Sequence, residues 1–281
     1  MRLSFFSLTI FAVLGILSAC KKDGKQSTEL NEQLKAEDFA YIGKAHNQQL
    51  AVVYNALLKS KKPSGSITNS RLSMTENQAL DIAEETIVDE VNLNTSLPST
   101  IKTIAIDYVT NTFSGVPVME NNKLYTQALA SSLPQSIISI LDRIDLLLVD
   151  ADSSLVSLNT GLNAIEAEVP SLNLSLQHQG IVYSATNIAR FTSQYWVENV
   201  NAWLELGQGN LGGRNSFIAR TTGFWGWLKS VGGGDVAGGV SAAAGAWVAN
   251  VVIGPGTVAY GGAIITGAVG CSVYNAISYF F

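Results

Sequence analysis

Charge runs out well before the chain does. Of the last 51 residues, Val231 to Phe281, only Asp235 carries a charged side chain. Across all 281 residues, 14% are charged and 47% hydrophobic. A typical soluble domain has about 25% charged residues. The deficit is local, because residues 21–92 are rich in Lys, Glu and Asp. Basic charge is scarce in the middle as well. Between Arg71 and Arg190, fourteen acidic residues face five basic ones. A nucleic-acid partner is therefore not expected, since such surfaces carry a basic patch. An acidic, solvated face is the expectation.

Cysteine and histidine are equally sparse. Two cysteines, Cys20 and Cys271, exclude a disulfide scaffold. Cys271 lies among Val, Ala and Gly, where a free thiol behaves as a small hydrophobe. The two histidines, His46 and His178, belong to no HExxH, HxH or Cys-rich set. No zinc motif follows, and no cofactor is expected. There is no GxSxG and no P-loop lysine. The stretch "GQGNLGG", Gly207 to Gly213, spaces its glycines like a dinucleotide loop. That loop needs a preceding strand, and here a helical pattern precedes it. The chain reads as a non-enzymatic protein.

What is present is mostly helical periodicity. Leu34, Phe39, Ile42, Leu50, Val53 and Leu57 recur at three- and four-residue spacing, one apolar face of a helix over Glu29 to Ser60. Pro63 and Gly65 stop it. A second helix is expected from Ser73, where Glu76 completes a capping-box pattern, to about Asn92. "TIKTIAIDYVTN" fits either a short strand or helical turns. Further helices are expected over Leu124 to Ser132, from Pro134 onward, and over Leu155 to Val169 with Pro170 ending it. The run to Gly207 reads as one long helix or two. The fold class is mainly α, a multi-helix bundle ending in a glycine-rich helical hairpin.

Two places in the body invite a chemical reading. "GKAHNQQL" puts His46 and Asn47 on an otherwise amphipathic helix. Gly43 to Asn47 resembles a Gly-x-x-His-Asn pattern of poorly characterised bacterial lipoproteins. These two residues are the functional candidates, with a packing role as the alternative. Asp142, Asp145, Asp150 and Asp152 form an acidic run. It lacks the loop glycine and final Glu of an EF-hand, so a solvated face is expected rather than a metal or catalytic site.

The amino terminus carries an address. Arg2 is followed by the apolar "FFSLTIFAVLGIL" and then by Leu17-Ser18-Ala19-Cys20. This order resembles the signal peptide and lipobox of bacterial lipoproteins. The resemblance implies cleavage before Cys20 and acylation of that residue. Each buried CH₂ adds roughly 0.8 kcal/mol, and stable anchoring takes more than one chain. Residues 1–19 are thus a signal peptide, 20–30 a lipidated tether, 31–230 a helical domain and 231–281 an apolar hairpin. The implied partner is membrane lipid through Cys20, and the implied place is the cell envelope, at the outer membrane.

The hairpin divides at Gly254-Pro255-Gly256. Its arms, Asp235 to Ile253 and Thr257 to Phe281, would be about 28 Å and 37 Å as helices, against a bilayer core of about 30 Å. Gly234, Gly238, Ala242 and Ala246 repeat every fourth residue, as do Gly262, Thr266 and Gly270. Small-x-x-x-small faces let helices approach closely. The segment resembles glycine zippers of bacterial envelope proteins and of certain membrane-active bacteriocins. Trp225, Trp227 and Lys229 lead into it, as residues of a bilayer's headgroup level or of an aromatic core. A membrane-inserted hairpin is the first expectation, with one buried among the other helices and then β structure as the alternatives. A structural or interaction role in the envelope is expected, with a homo-oligomer or a membrane protein as partner. A membrane-active effector that oligomerises through the hairpin and a soluble binding module are the alternatives.

Overall fold

Each amphipathic row of the sequence finds an apolar surface to cover. A computed structural model describes residues 34–61, 74–116, 119, 123–149, 154–208, 222–248 and 258–281. Cys20, Pro63, Gly65, Ser73, Asp150, Asp152 and Gly254-Pro255-Gly256 lie outside the described residues. So do the side chains of Trp225 and Ala246.

Among the described residues there are eight α-helices longer than one turn and no strand. The "TIKTIAIDYVTN" stretch is therefore helical. The helices are α1 (Ala40–Ser60), α2 (Glu76–Leu93), α3 (Ser99–Phe113), α4 (Gln135–Val149), α5 (Leu155–Glu168), α6 (Leu176–Gln208), α7 (Thr222–Val248) and α8 (Val258–Phe280). The helix expected over Leu124 to Ser132 is a single turn, Gln127–Ala130, capped by the Thr126 hydroxyl.

Local chemistry sets the helix boundaries. A 3-10 turn, Ala36–Phe39, leads into α1, and the Asp38 carboxylate accepts from Lys35 N at 2.9 Å. The start of α2 differs from expectation. Its N-cap is Thr75, whose hydroxyl accepts from Gln78 N at 3.3 Å while Gln78 Oε1 accepts from Thr75 N at 3.1 Å. The capping box is thus Thr75-to-Gln78, which satisfies two of the orphan N–H groups of a helix start. The Ser154 hydroxyl alone caps α5, accepting from Ser157 N at 3.2 Å. At the other end of α5, Pro170 falls in a 3-10 turn, Val169–Leu172, followed by Asn173 at φ 49. After α3, Gly115 takes φ 79, a left-handed turn that glycine enters without strain.

The core is layered around three helices. Helices α6, α7 and α8 are buried nearly all round over residues 180–189, 231–240 and 263–273. A helix apolar on every side belongs in a core or a bilayer. Here α7 packs on α8, α6, α4 and α3, and α8 packs on α7, α3, α1, α2 and α6. The covering helices bury one row each. In α1 the row is Ile42, His46, Leu50, Val53 and Leu57. In α2 it is Ala79, Ala83, Ile87 and Val91, and in α3 Ile101, Ala105, Val109 and Thr112. In α5 it is Leu158, Leu162 and Ile165. The hairpin is the hub of the bundle, and Leu34–Phe281 form one compact unit.

Small residues allow the hub to close. A Cβ on Gly238 would strike the backbone of Gly267, and one on Gly267 would lie 2.7 Å from Gly238 O and 2.8 Å from Ala242 Cβ. A Cβ on Gly234 would strike the Asn275 amide. Gly234, Gly238 and Ala242 thus form the α7 side of the hairpin contact. The Gly262, Thr266, Gly270 row meets different partners. Gly262 faces Leu97, before α3, and a Cβ on Gly270 would lie 3.5 Å from Val109 of α3. Thr266 is buried, and its hydroxyl donates to Gly262 O at 2.9 Å. One helix among the described residues, Tyr260–Phe280, is long and apolar enough to cross a membrane, and 78% of its most apolar window is buried.

Aromatic rings seal the end of the hub. Trp196 and Trp203 are fully buried, and Trp227 is 6% exposed. Trp196 meets Trp227 edge to face, with centroids 5.2 Å apart. Trp227 also contacts Phe280 at 5.2 Å, and Trp203 Nε1 donates to Tyr195 OH at 3.0 Å. Trp227 is thus part of an aromatic core. Gly207, at the end of α6, fits against the backbone of Phe280, where any Cβ would collide.

Candidate functional site

The residues singled out on α1 point inward. His46 is fully buried, within the α1 core row between Ile42 and Leu50. Gly43, one turn earlier, admits the Phe191 ring, which a Cβ would strike. Asn47 Nδ2 donates to Phe191 O at 2.9 Å, which ties α1 to α6. That bond fixes the amide, so Asn47 Oδ1 faces His46 Nδ1 at 3.0 Å. A carbonyl oxygen only accepts, so His46 Nδ1 carries the proton.

The other ring nitrogen meets the lone charge of the hairpin. His46 Nε2 stands 3.4 Å from Asp235 Oδ2, and both side chains are 0% exposed. The contact is an ionic approach rather than an aligned hydrogen bond, and Nε2 makes no hydrogen bond among the described residues. Asp235 Oδ2 also accepts from Thr192 Oγ1 of α6 and, at 2.9 Å, from Ser272 Oγ of α8. Trp196 Nε1 in turn donates to Ser272 Oγ at 3.2 Å. The other carboxylate oxygen, Oδ1, has no hydrogen-bond partner among the described residues. The cluster joins α1, α6, α7 and α8 at one buried point.

Burying a charge is costly unless it is paired and hydrogen-bonded. Side chains from three other helices meet that demand at one carboxylate oxygen, Oδ2. Its chemistry is confined, because every member is inside the bundle. Ser272 donates to the carboxylate rather than to the histidine, so the three side chains do not form a Ser-His-Asp relay. Sequence reasoning named His46 and Asn47 but not Asp235, Thr192 or Ser272. The available signal was the solitary acid in an otherwise uncharged 51-residue stretch.

Nearby, Cys271 belongs to the same layer. Burial pushes its thiol up to about 12, and Tyr108 OH lies 3.7 Å away. Such a thiol is an inert core group.

The described acids of the 142–152 run make ion pairs. Burial alone would raise Asp142, but hydrogen bonds from Lys123 Nζ at 2.9 Å and Tyr125 OH at 2.8 Å hold it below the usual carboxylate range. Asp145 is pushed up by burial, with Lys229 at 3.8 Å partly offsetting the shift. No group of three or more His, Cys, Asp or Glu among the described residues could hold a metal ion. His178 lies at the start of α6, where its Nδ1 is 3.0 Å from Ser175 Oγ and its backbone N–H donates to the same hydroxyl.

Comparison of the chain with protein-family models, with curated proteins and with solved structures finds no match to any of them.

Proposed function

We propose that this chain is a non-enzymatic lipoprotein of the bacterial cell envelope, anchored by acyl chains on Cys20 in the outer membrane. Its helical bundle then serves a structural or interaction role. The carrying observation is that His46 and Asn47 are both committed to internal contacts, His46 with Asp235 and Asn47 with the α6 backbone. The Leu17-Ser18-Ala19-Cys20 stretch supports the anchor. The proposed tether, residues 20–30, precedes in sequence the compact unit that starts at Leu34. Metabolic labelling with an alkyne fatty acid tests the reading. Label on the native protein and none on Cys20→Ala is expected, with only the native protein in the membrane fraction. An unlabelled native protein that fractionates like Cys20→Ala would overturn the anchor.

A further inference from the structure

The α7–α8 hairpin has the makings of a unit that two different apolar hosts could accept. Its own interface, Gly238 and Ala242 on Gly267 with Gly234 beside Asn275, lies entirely within the two helices. That interface needs nothing from the covering helices. Tyr260–Phe280 has the length and composition of a membrane span. After Lys229, the only charged side chain is Asp235, the fourteenth of the 27 residues of α7 and so at its midpoint. In the folded bundle, Asp235 reaches out of the hairpin to His46 of α1 and Thr192 of α6. Only Ser272 would travel with it if the hairpin left. In a bilayer, the midpoint of a helix is where an acid is least tolerated. The same side chain thus holds the hairpin in the protein and bars it from lipid.

We propose that Asp235, paired with His46 and Thr192, is the latch that assigns this hairpin to the bundle core, and that neutralising it transfers the hairpin into a lipid bilayer. The proposal rests on the anchored reading only for the nearness of a membrane. It makes insertion of the hairpin a conditional second activity of the domain.

The test uses the full-length chain carrying Cys20→Ala, with the signal segment removed as in maturation, and vesicles of phosphatidylcholine with phosphatidylglycerol. Carbonate-resistant binding is measured for this protein and for added Asp235→Asn and His46→Ala changes. Asp235→Asn preserves size, and His46→Ala leaves the hairpin sequence untouched. Asp235→Asn is expected to raise resistant binding at least about tenfold, and His46→Ala, which leaves the acid in the hairpin, is expected to raise it less. Leu162→Ala, at a buried position of α5, which packs on α4 and α6, controls for general destabilisation and should not raise it. A further pair, Ile104→Cys with Gly245→Cys, joins α3 to α7, since Ile104 Cγ2 lies 3.6 Å from the position of a Gly245 Cβ. Oxidation of that pair in the Asp235→Asn background should abolish insertion, and reduction should restore it. Equal binding by the parent and Asp235→Asn would overturn the latch. So would insertion by Leu162→Ala to the same extent, or insertion unaffected by the closed disulfide. Acylation at Cys20 is read separately by labelling, so failure of the anchor and failure of the latch are distinguishable.

Discussion

Asp235 and His46 meet 3.4 Å apart with neither side chain exposed to solvent. They are contributed by α7 and α1, at opposite ends of the chain. The energetic consequence is asymmetric. Removing one partner leaves the other as an uncompensated buried charge, at about 3–5 kcal/mol. Replacing both with apolar residues of similar volume removes the demand itself. Asp235→Leu and His46→Leu are each expected to be strongly destabilising in urea titrations. The double variant should lose much less than the sum of the two. Additive losses would mean that the two side chains do not interact.

Glycines of α7 should separate by environment. Gly238→Ala drives a methyl into the Gly267 backbone. Overpacking costs about 1–3 kcal/mol, which outweighs the gain in helix propensity of about 1 kcal/mol. Gly226 is exposed and a Cβ there meets nothing within 4 Å. Gly226→Ala should therefore stabilise by about 0.5–1 kcal/mol. Melting temperatures moving in opposite directions are the expected readout.

Alkaline pH should weaken the fold through buried acids that stay protonated in it. The Cys271 thiol rises from 9.0 to about 12, and the Tyr41 and Tyr195 hydroxyls from 10.0 to about 12, chiefly through burial. A raised folded pKa means that the folded state holds protons the unfolded chain would release. The stabilisation is complete below pH 9 and is lost progressively between pH 9 and about 12. Cys271→Ala should flatten the early part of that decline in pH-dependent urea titrations. Ellman's reagent should leave Cys271 unmodified near neutral pH until the protein is unfolded.

The start of α2 offers a local test. Thr75→Ala removes the hydroxyl that accepts from Gln78 N and should cost about 0.5–2 kcal/mol. The loss should be read as a shorter or frayed α2 in amide exchange near Glu76, because the capping box is built on Thr75.

The helical rows were readable because their period is local. Leu34, Phe39, Ile42, Leu50, Val53 and Leu57 are all buried, as their spacing implies. Overlapping motifs blurred the next boundary, since Ser73-to-Glu76 and Thr75-to-Gln78 both fit a capping pattern two residues apart. The α3 segment was ambiguous because Ile101, Thr103, Ile104, Ile106 and Val109 suit a strand as well as a helix. Its four-residue row, Ile101, Ala105 and Val109, is buried beside α8, and that packing accompanies the helical outcome. The small residues of the tail announced close helix contact but not which helices would meet. Gly238 finds Gly267, whereas Gly262 and Gly270 turn toward Leu97 and Val109. Nothing local links His46 to Asp235. Their meeting depends on how four helices assemble, which no spacing in the sequence encodes.

The α7–α8 hairpin is the core of this domain. Hydrogen exchange of the full-length, unacylated Cys20→Ala protein in detergent-free buffer tests it most directly. Buried amides of α7 over residues 231–244 and of α8 over residues 263–277 should exchange as slowly as those of the α1 core row, through global unfolding alone. Rapid exchange of both segments in buffer, with protection gained only when vesicles are added, would contradict it.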